Sequence, residues 1–417
     1  MKPVLTAAQM REVDRLTIEW LKVPARVLME SAGRAVASEI RRHVPLGSRV
    51  GVVCGTGNNG GDGLVVARAL IEDFDVATVV LGPRDALKVD AADNLASLEP
   101  LLQRRQAVRF ADDDKRVDDA MMDLRGCALV VDAVFGTGLN KDVQGLARHA
   151  IGWMNTLTCP VLAVDIPSGL DADTARVMGD AVRCTWTVAL GEWKRAHFLV
   201  PGAELCGAVS LVDIGIPRRF AQDLPGVGEL LDLAVMRGLH QPRALGAHKG
   251  TSGHVGVVGG SPGMAGAAIM ACLGALRGGA GRVSLLARDK AHPTHLPVEA
   301  TVAFCPVGAE GDVAAQHSMA VLVVGPGLSP DEDGQRTLNA AIQSDLPLVL
   351  DAGALALLAL PALKDRKAPT VLTPHPAELA RLLGMKTAEV QADRIGAAHK
   401  AAQASGTVVI NKGARSV

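Results

Sequence analysis

Residues 55–63 read GTGNNGGDG, directly after the short apolar run Arg49–Cys54 (RVGVVC) and directly before a helical stretch, Leu64–Ile71. No other feature restricts the fold as much. Glycines admit positive φ and bring backbone N–H groups close to an anion, and the helix that follows adds the positive end of its dipole. The run therefore predicts a phosphate-binding turn between a strand and a helix. The same rhythm recurs: Val76–Leu81, Ala128–Val131 and Val161–Val164 are short and β-branched, with helical stretches between most of them, and Thr185–Leu190 and Ala208–Asp213 continue the set. Strand alternating with helix implies a parallel sheet with helices on both faces, and the high Ala, Val and Gly content suits it. Upstream, Thr6-Ala-Ala-Gln9 reads as a capping box opening a helix, and a second helix runs roughly from Arg26 to His43.

The rhythm then restarts, with His254–Val258, Arg282–Leu286, Val321–Val324, Leu348–Leu350, Thr370–Leu372 and Thr407–Ile410. Between the two series Asp223–Gly228 (DLPGVG) reads as a linker. The expected organisation is a domain over 1–222, a linker over 223–233 and a second domain over 234–417. At 417 residues the chain has room for two domains. Its last apolar strand runs into Lys412-Gly413 and stops four residues later, where a buried parallel strand normally continues into a helix. The expectation is that the second domain lacks its final segment.

Composition removes several functions. There is no run of about 18 uninterrupted apolar residues to span a membrane, and the polar start MKPVLTAAQMREVDR has no secretory h-region. A net charge of -1 offers no basic surface for nucleic acid. Aromatic residues are 2% and Tyr is absent, which argues against base stacking on single strands. Seven cysteines without a CxxC pair read as reduced thiols of a cytoplasmic protein, with Cys54 and Cys184 in apolar runs. His292-Pro-Thr-His295 reads as an ordinary loop, since a zinc site needs further ligands that the sequence does not offer.

Gly55, Gly57 and Gly60 fit the GxGxxG dinucleotide fingerprint, but that fingerprint needs an acidic residue at the end of the second strand. Asp73 and Asp75 precede that strand, which argues against an ordinary NAD dehydrogenase. Two more strand ends carry polar residues beside glycine: Val131-Asp132-Ala-Val-Phe-Gly136-Thr-Gly138 and Val164-Asp165-Ile-Pro-Ser168-Gly169. Ligands in open α/β sheets bind outside the carboxyl ends of the strands. Together these loops offer amide, carboxylate, hydroxyl and carbonyl oxygens for a hard cation, and carboxylates for proton transfer. Taken singly, each Asp also reads as a cap or turn former.

The runs GTGNNGGDG, VDAVFGTGL and DIPSGLDADT resemble the NAD(P)H-hydrate epimerase domain. HKGTSGHVGVVGGSPGMAGAA, VGPGL, LDAGAL and TPHPAE resemble, in that order, the ADP/ATP-dependent NAD(P)H-hydrate dehydratase domain. The resemblance covers essentially the whole chain. It implies a Rossmann-like three-layer N-terminal domain and a ribokinase-like α/β C-terminal domain, and a bifunctional enzyme repairing nicotinamide cofactors hydrated at the ring. Hydrated NADH or NADPH is the implied substrate. K+ is the implied ion of the first domain, ADP or ATP with Mg2+ the implied nucleotide of the second, and homo-oligomers the implied assembly. Neither nucleic acid nor membrane is an expected partner.

By the same resemblance Asn58, Asn59, Gly60, Gly61 and Asp62, with Gly136, Thr137, Gly138, Leu139, Asn140, Lys141 and Asp142, hold the hydrated cofactor, and Asp165 contacts it. Asn59, Asp132 and Ser168 contribute to the K+ site. Asp165 is the expected acid/base. In the second domain Ala267, Gly327 and His375 lie against the hydrate, and Lys412-Gly413 begins the nucleotide site. His375 taken alone also reads as a turn residue. Two departures stand out. Ala377 replaces a usual Gly, a change expected to be tolerated. The GGxGD-type loop that supplies phosphate-binding amides and a catalytic Asp does not follow Lys412-Gly413, so dehydratase turnover is not expected of these residues. A ribokinase-like kinase fused to a nucleotide-binding domain, and a non-catalytic scaffold, are the alternatives. A ligand-induced rise in melting temperature separates a binder from a pure scaffold.

Overall fold

The computed structural model describes residues 2–102, 106–239, 242–288 and 300–417. The loop His292–His295 lies outside them. The chain forms two compact units, Met1–His240 and Gln241–Val417. The strands of the first are β1 (Lys2–Leu5), β2 (Arg49–Cys54), β3 (Asp75–Leu81), β4 (Val108–Ala111), β5 (Leu129–Ala133), β6 (Val161–Val164), β7 (Trp186–Leu190), β8 (Trp193–Lys194), β9 (Ala208–Val212) and β10 (Gly228–Leu230). Those of the second are β11 (His254–Val258), β12 (Arg282–Ala287), β13 (Ala300–Phe304), β14 (Val321–Val324), β15 (Leu348–Leu350), β16 (Thr370–Leu372) and β17 (Val408–Val409).

The first unit's main sheet has the order β4-β3-β2-β5-β6-β7-β9, with every pairing parallel. This is the doubly wound arrangement, and it reverses direction between β2 and β5, where such sheets bind ligands. β2 and β5 are apolar almost throughout and buried, as strands covered on both faces must be. The helix Ala25–His43 shows the packing logic. Its buried residues Leu28, Met29, Ala32, Val36 and Ile40 fall at helical spacing on one face. Gly33 lies on that face too; a Cβ there would sit 2.4 Å from Val65 Cβ, so the helix can rest directly on helix Asn58–Leu70. The Thr6–Gln9 capping box opens Ala7–Arg15, as its sequence predicts.

A small second sheet, β10-β1-β8, carries chemistry. β1 pairs antiparallel with β10 and parallel with β8, setting Leu5 opposite Lys194. Residues 228–230 are therefore a strand of the first unit rather than a linker, and the unit continues to residue 240 rather than 222. The glycine and proline of 223–228 mark the turn before a short strand, not a domain boundary.

The second unit repeats the first: β13-β12-β11-β14-β15-β16-β17, parallel throughout. Its direction reverses between β11 and β14. The apolar core gathers around β14, β15 and β16, with Leu322, Val324, Leu348, Leu350 and Leu372 buried.

Candidate active sites at the two sheet reversals

In the first unit the loop after β2 is forced against the loop after β5. Gly55 N–H donates to Ala133 O at 3.0 Å. A Cβ on Gly55 would lie 2.3 Å from Val134 O, and one on Gly60 would lie 1.8 Å from Gly55 O. Only glycine fits, so part of this glycine run is required by packing whatever it binds. The helix Asn58–Leu70 begins at Gly57 with no side-chain cap, which leaves its first N–H groups available to an anion. Asn58 is exposed, Asn59 and Asp62 half-buried, Gly60 and Gly61 buried.

Asp132 and Ser168 are bonded to each other, and Asn59 lies against the loop that follows Asp132. Asp132 is fully buried at the end of β5. Its Oδ2 accepts Ser168 N–H at 2.7 Å, and its Oδ1 accepts the Ser168 hydroxyl at 2.5 Å and Val134 N–H at 3.3 Å. The Ser168 oxygen in turn accepts Phe135 N–H at 2.8 Å. Burial pushes the Asp132 carboxyl up to about 6 against the hydrogen bonds that favour its charged form. Asn59 lies against Gly136, where a Cβ would be 3.1 Å from Asn59 Oδ1. Asn59 Nδ2 is buried without a partner. Turning that amide over would present its oxygen to the same space. A buried carboxylate, a hydroxyl and an amide oxygen form an all-oxygen donor set that fits a monovalent cation.

The rest of the predicted loop is more open. Gly138, Asn140, Lys141 and Asp142 are exposed, Gly136 and Thr137 half-buried, and Leu139 packs on the core formed by Val53, Val130 and Val134.

Asp165, just past β6, takes φ +70°, a left-handed conformation uncommon outside glycine. The surroundings fix it at several points. Its N–H donates to Val188 O at 2.9 Å. Its Oδ1 accepts Leu190 N–H at 3.1 Å and the Lys194 ammonium at 2.5 Å. Its carbonyl accepts from His197 Nε2 at 2.8 Å. His197 Nδ1 accepts Lys194 N–H at 3.1 Å, which places the ring proton on Nε2. Burial, with Lys194 adding, lowers His197 to about 4, so the ring is neutral at physiological pH. Two more carboxyls belong to this electrostatic cluster. Burial raises Asp14 to about 6, with Lys194 opposing and Asp165 reinforcing. Burial also raises Asp62 well above the carboxylate range, with Asp165 and Asp14 adding to it. Lys194, His197 and Asp14 were not identified from sequence. The run Glu192-Trp193-Lys194-Arg195 carries no glycine-loop signal, and Asp14 lies on a surface-patterned helix.

In the second unit the same jam occurs. A Cβ on Gly259 would lie 2.0 Å from Pro326 O. Gly260 N–H donates to Pro326 O and Ser261 N–H to Gly327 O. Gly327 and Ala267 meet at one carbonyl: Ala267 N–H donates to Met264 O, and a Cβ on Gly327 would be 2.3 Å from the same atom. Ser261, also missed from sequence, receives Ser329 N–H and the Arg288 guanidinium on its hydroxyl. His375 is the N-cap of helix Pro376–Leu383: Nδ1 accepts the N–H groups of Ala377 and Glu378, and Glu378 Oε2 accepts His375 N–H at 2.8 Å. Its half-exposed ring borders a cavity of about 350 Å³ lined also by Ala352, Gly353, Ala377, Glu378 and Arg381. Lys412 pairs with Asp351 at 2.7 Å. Gly413 has a packing reason, since a Cβ there would sit 2.7 Å from Arg394 Nη2.

Two family models match the chain, one in each unit. The family described as YjeF-related protein N-terminus matches residues 25–196, and the family described as NAD(P)H-hydrate dehydratase matches residues 255–417. The chain is 37% identical to the bifunctional NAD(P)H-hydrate repair enzyme Nnr of Moorella thermoacetica, covering 99% of this chain and 81% of that one. It is 38% identical to the enzyme of the same name from Salinibacter ruber, over 100% and 81%. Among solved structures it is similar to the ADP/ATP-dependent NAD(P)H-hydrate dehydratase of Bacillus subtilis co-crystallized with ATP/Mg2+, at 34% identity and TM-score 0.40, over 44% of this chain and 66% of that one.

Proposed function

The chain belongs to the bifunctional NAD(P)H-hydrate repair enzymes, and from that premise we propose that the β2/β5/β6 crevice is the site at which R and S hydrates of NADH and NADPH interconvert. One observation carries this reading. Three strand ends bring a buried carboxylate–ammonium pair, Asp165–Lys194, beside a glycine-cradled helix N-terminus suited to the cofactor's phosphates. The hydrate has its hydroxyl on a ring carbon bonded to nitrogen. Epimerisation breaks the C–O bond as the nitrogen lone pair forms C=N, and a proton from an acid makes the departing oxygen water. Water then adds to the opposite face and returns a proton to a base. Asp165 is the acid/base for that exchange.

K+ held by Asn59, Asp132 and Ser168 would supply positive charge beside a carboxyl that burial otherwise holds up to about 6. The segments 58–62 and 136–142 then enclose the hydrate.

In the second unit Ala267, Gly327 and His375 are the hydrate-facing residues, and Lys412-Gly413 contributes to the ADP or ATP site, with Mg2+ on the nucleotide. The reading is of a cytoplasmic enzyme that self-associates. The test follows both hydrate epimers by chromatography, with and without K+ and ATP. Interconversion of the epimers is the expected result, and static epimers overturn the reading of the first unit.

A further inference from the structure

Among the described residues the most deeply buried ion pair belongs to a residue outside every glycine loop. Lys194 is 1% exposed, yet its ammonium is well satisfied: Nζ donates to Asp165 Oδ1 at 2.5 Å and to Leu190 O at 2.6 Å. Leu190 N–H also donates to Asp165 Oδ1, so lysine and strand end close a ring around one carboxylate oxygen. Asp165 Oδ2 takes no hydrogen bond from the described residues. His197 completes the clamp, linking Lys194 N–H to the Asp165 carbonyl through its neutral ring. The clamp holds Asp165 in its left-handed backbone conformation, which persists only where the surroundings enforce it.

A buried pair of this kind is weak evidence for stability, because desolvation offsets much of the attraction. Its geometry is better explained by orientation. We infer that Lys194 is a positioning residue of the epimerase site: it engages Asp165 Oδ1 so that Oδ2 alone faces the reacting carbon and oxygen. It is also the ammonium set against the carboxyls of Asp14, Asp62 and Asp165. The other groups facing it are neutral His197 and Glu192, the latter with Arg218 and Asp213 nearby. Lys194 reaches the site through the β1–β8 pairing, so the N-terminal strand is part of the catalytic framework.

This inference rests on the proposed epimerase reading, and the experiment separates the two. Lys194→Gln offers a neutral donor one bond short of the position of Nζ on Asp165 Oδ1, whereas Lys194→Met removes donor and charge alike. Both are assayed by hydrate epimerisation across pH, with melting curves to establish folding. The expected result for Lys194→Gln is kcat reduced about 100-fold, the scale of a misplaced reacting group, with KM changed less than about twofold. The acid limb of its pH profile should move upward, because Lys194 opposes the raised Asp14 carboxyl. If Lys194→Met does not fold, Asp14→Asn in the otherwise unaltered chain reads the same limb, which should flatten. Unchanged kcat and an unmoved limb in folded Lys194→Gln overturn the inference while leaving the epimerase reading in place. No epimerisation by the unaltered chain removes both.

Discussion

At β2/β5 a Cβ on Gly55 would meet the Val134 carbonyl at 2.3 Å, and at β11/β14 one on Gly259 would meet the Pro326 carbonyl at 2.0 Å. The two units have the same strand order and the same backbone jam at the reversal point, yet they surround it with different chemistry. Around the first crevice Asp132, Asp165, Lys194 and His197 are buried. In the second unit the buried ionisable side chains among the described residues, cysteines aside, are His254, Glu310 and Arg394. His254 starts β11 at the far end from the crevice, and Glu310 and Arg394 each open a helix. The second crevice presents glycine backbone, a helix-capping histidine and a half-exposed Lys412–Asp351 pair instead. Topology thus fixes where a ligand sits but not what happens to it. Among the described residues the first crevice gathers buried charged groups, and the second a half-exposed ion pair.

The sharpest break of that contrast is Asp165→Asn. It should lower epimerisation about 10²- to 10⁴-fold, the range for losing a general acid/base. It should also destabilise the first unit by about 3–5 kcal/mol, because Lys194 is left buried and unpaired. Asp165→Asn with Lys194→Met should recover most of the stability in thermal melts and none of the turnover. Recovered turnover would show that the pair is structural only. The matching change in the second unit, Lys412→Met, should barely move its melting point, since exposed pairs contribute about 0–1 kcal/mol.

The next effect is pH-dependent. Asp132 and Asp14 are both raised to about 6 in the fold, from 3.8. The folded state therefore holds protons that the unfolded state releases, and stability from these groups is greatest below about pH 4 and is lost as pH rises toward 6. That is opposite in sign to the usual ion-paired carboxylate. A cation on Asp132 reverses the loss, so K+ should raise the first unit's melting temperature more at pH 7.5 than at pH 4.5. Equal shifts at both values, or equal shifts with Na+, would remove K+ from Asn59, Asp132 and Ser168.

Much of this architecture is legible in the sequence because buried parallel strands are short apolar runs. Arg49–Cys54, Val161–Val164, His254–Val258 and Leu348–Leu350 coincide with β2, β6, β11 and β15. The strands missed are the ones that such runs do not mark. β4 and β13 stand at one end of the order of the described strands of the two sheets, where polar or exposed residues are admitted, such as Arg109 in β4 and Phe304 in β13. β1, β8 and β10 are two to four residues long. That omission had a cost at the site. The glycine loops disclose Asn59, Asp132, Asp165 and Ser168, because close backbone approach leaves a compositional trace. Lys194 arrives through a long-range pairing of a two-residue strand, which leaves none.

The smallest expected effect tests the second unit most directly. His375 accepts two N–H groups at the start of its helix and is otherwise half exposed. Both facts agree with a capping residue that needs no ligand. His375→Ala should cost about 1 kcal/mol, the usual value for a lost N-cap. His375→Asn, which can accept the same N–H groups, should cost a few tenths at most. If the ring serves only the helix, the two variants should differ in melting temperature and bind hydrated NADH alike. If it faces the hydrate, His375→Asn should keep its stability and lose affinity, measured by titration with the hydrate. Stability and binding can be separated this way at His375 because its structural role needs only an acceptor. At Asp165 they cannot, because there the carboxylate proposed as acid/base also balances a buried charge.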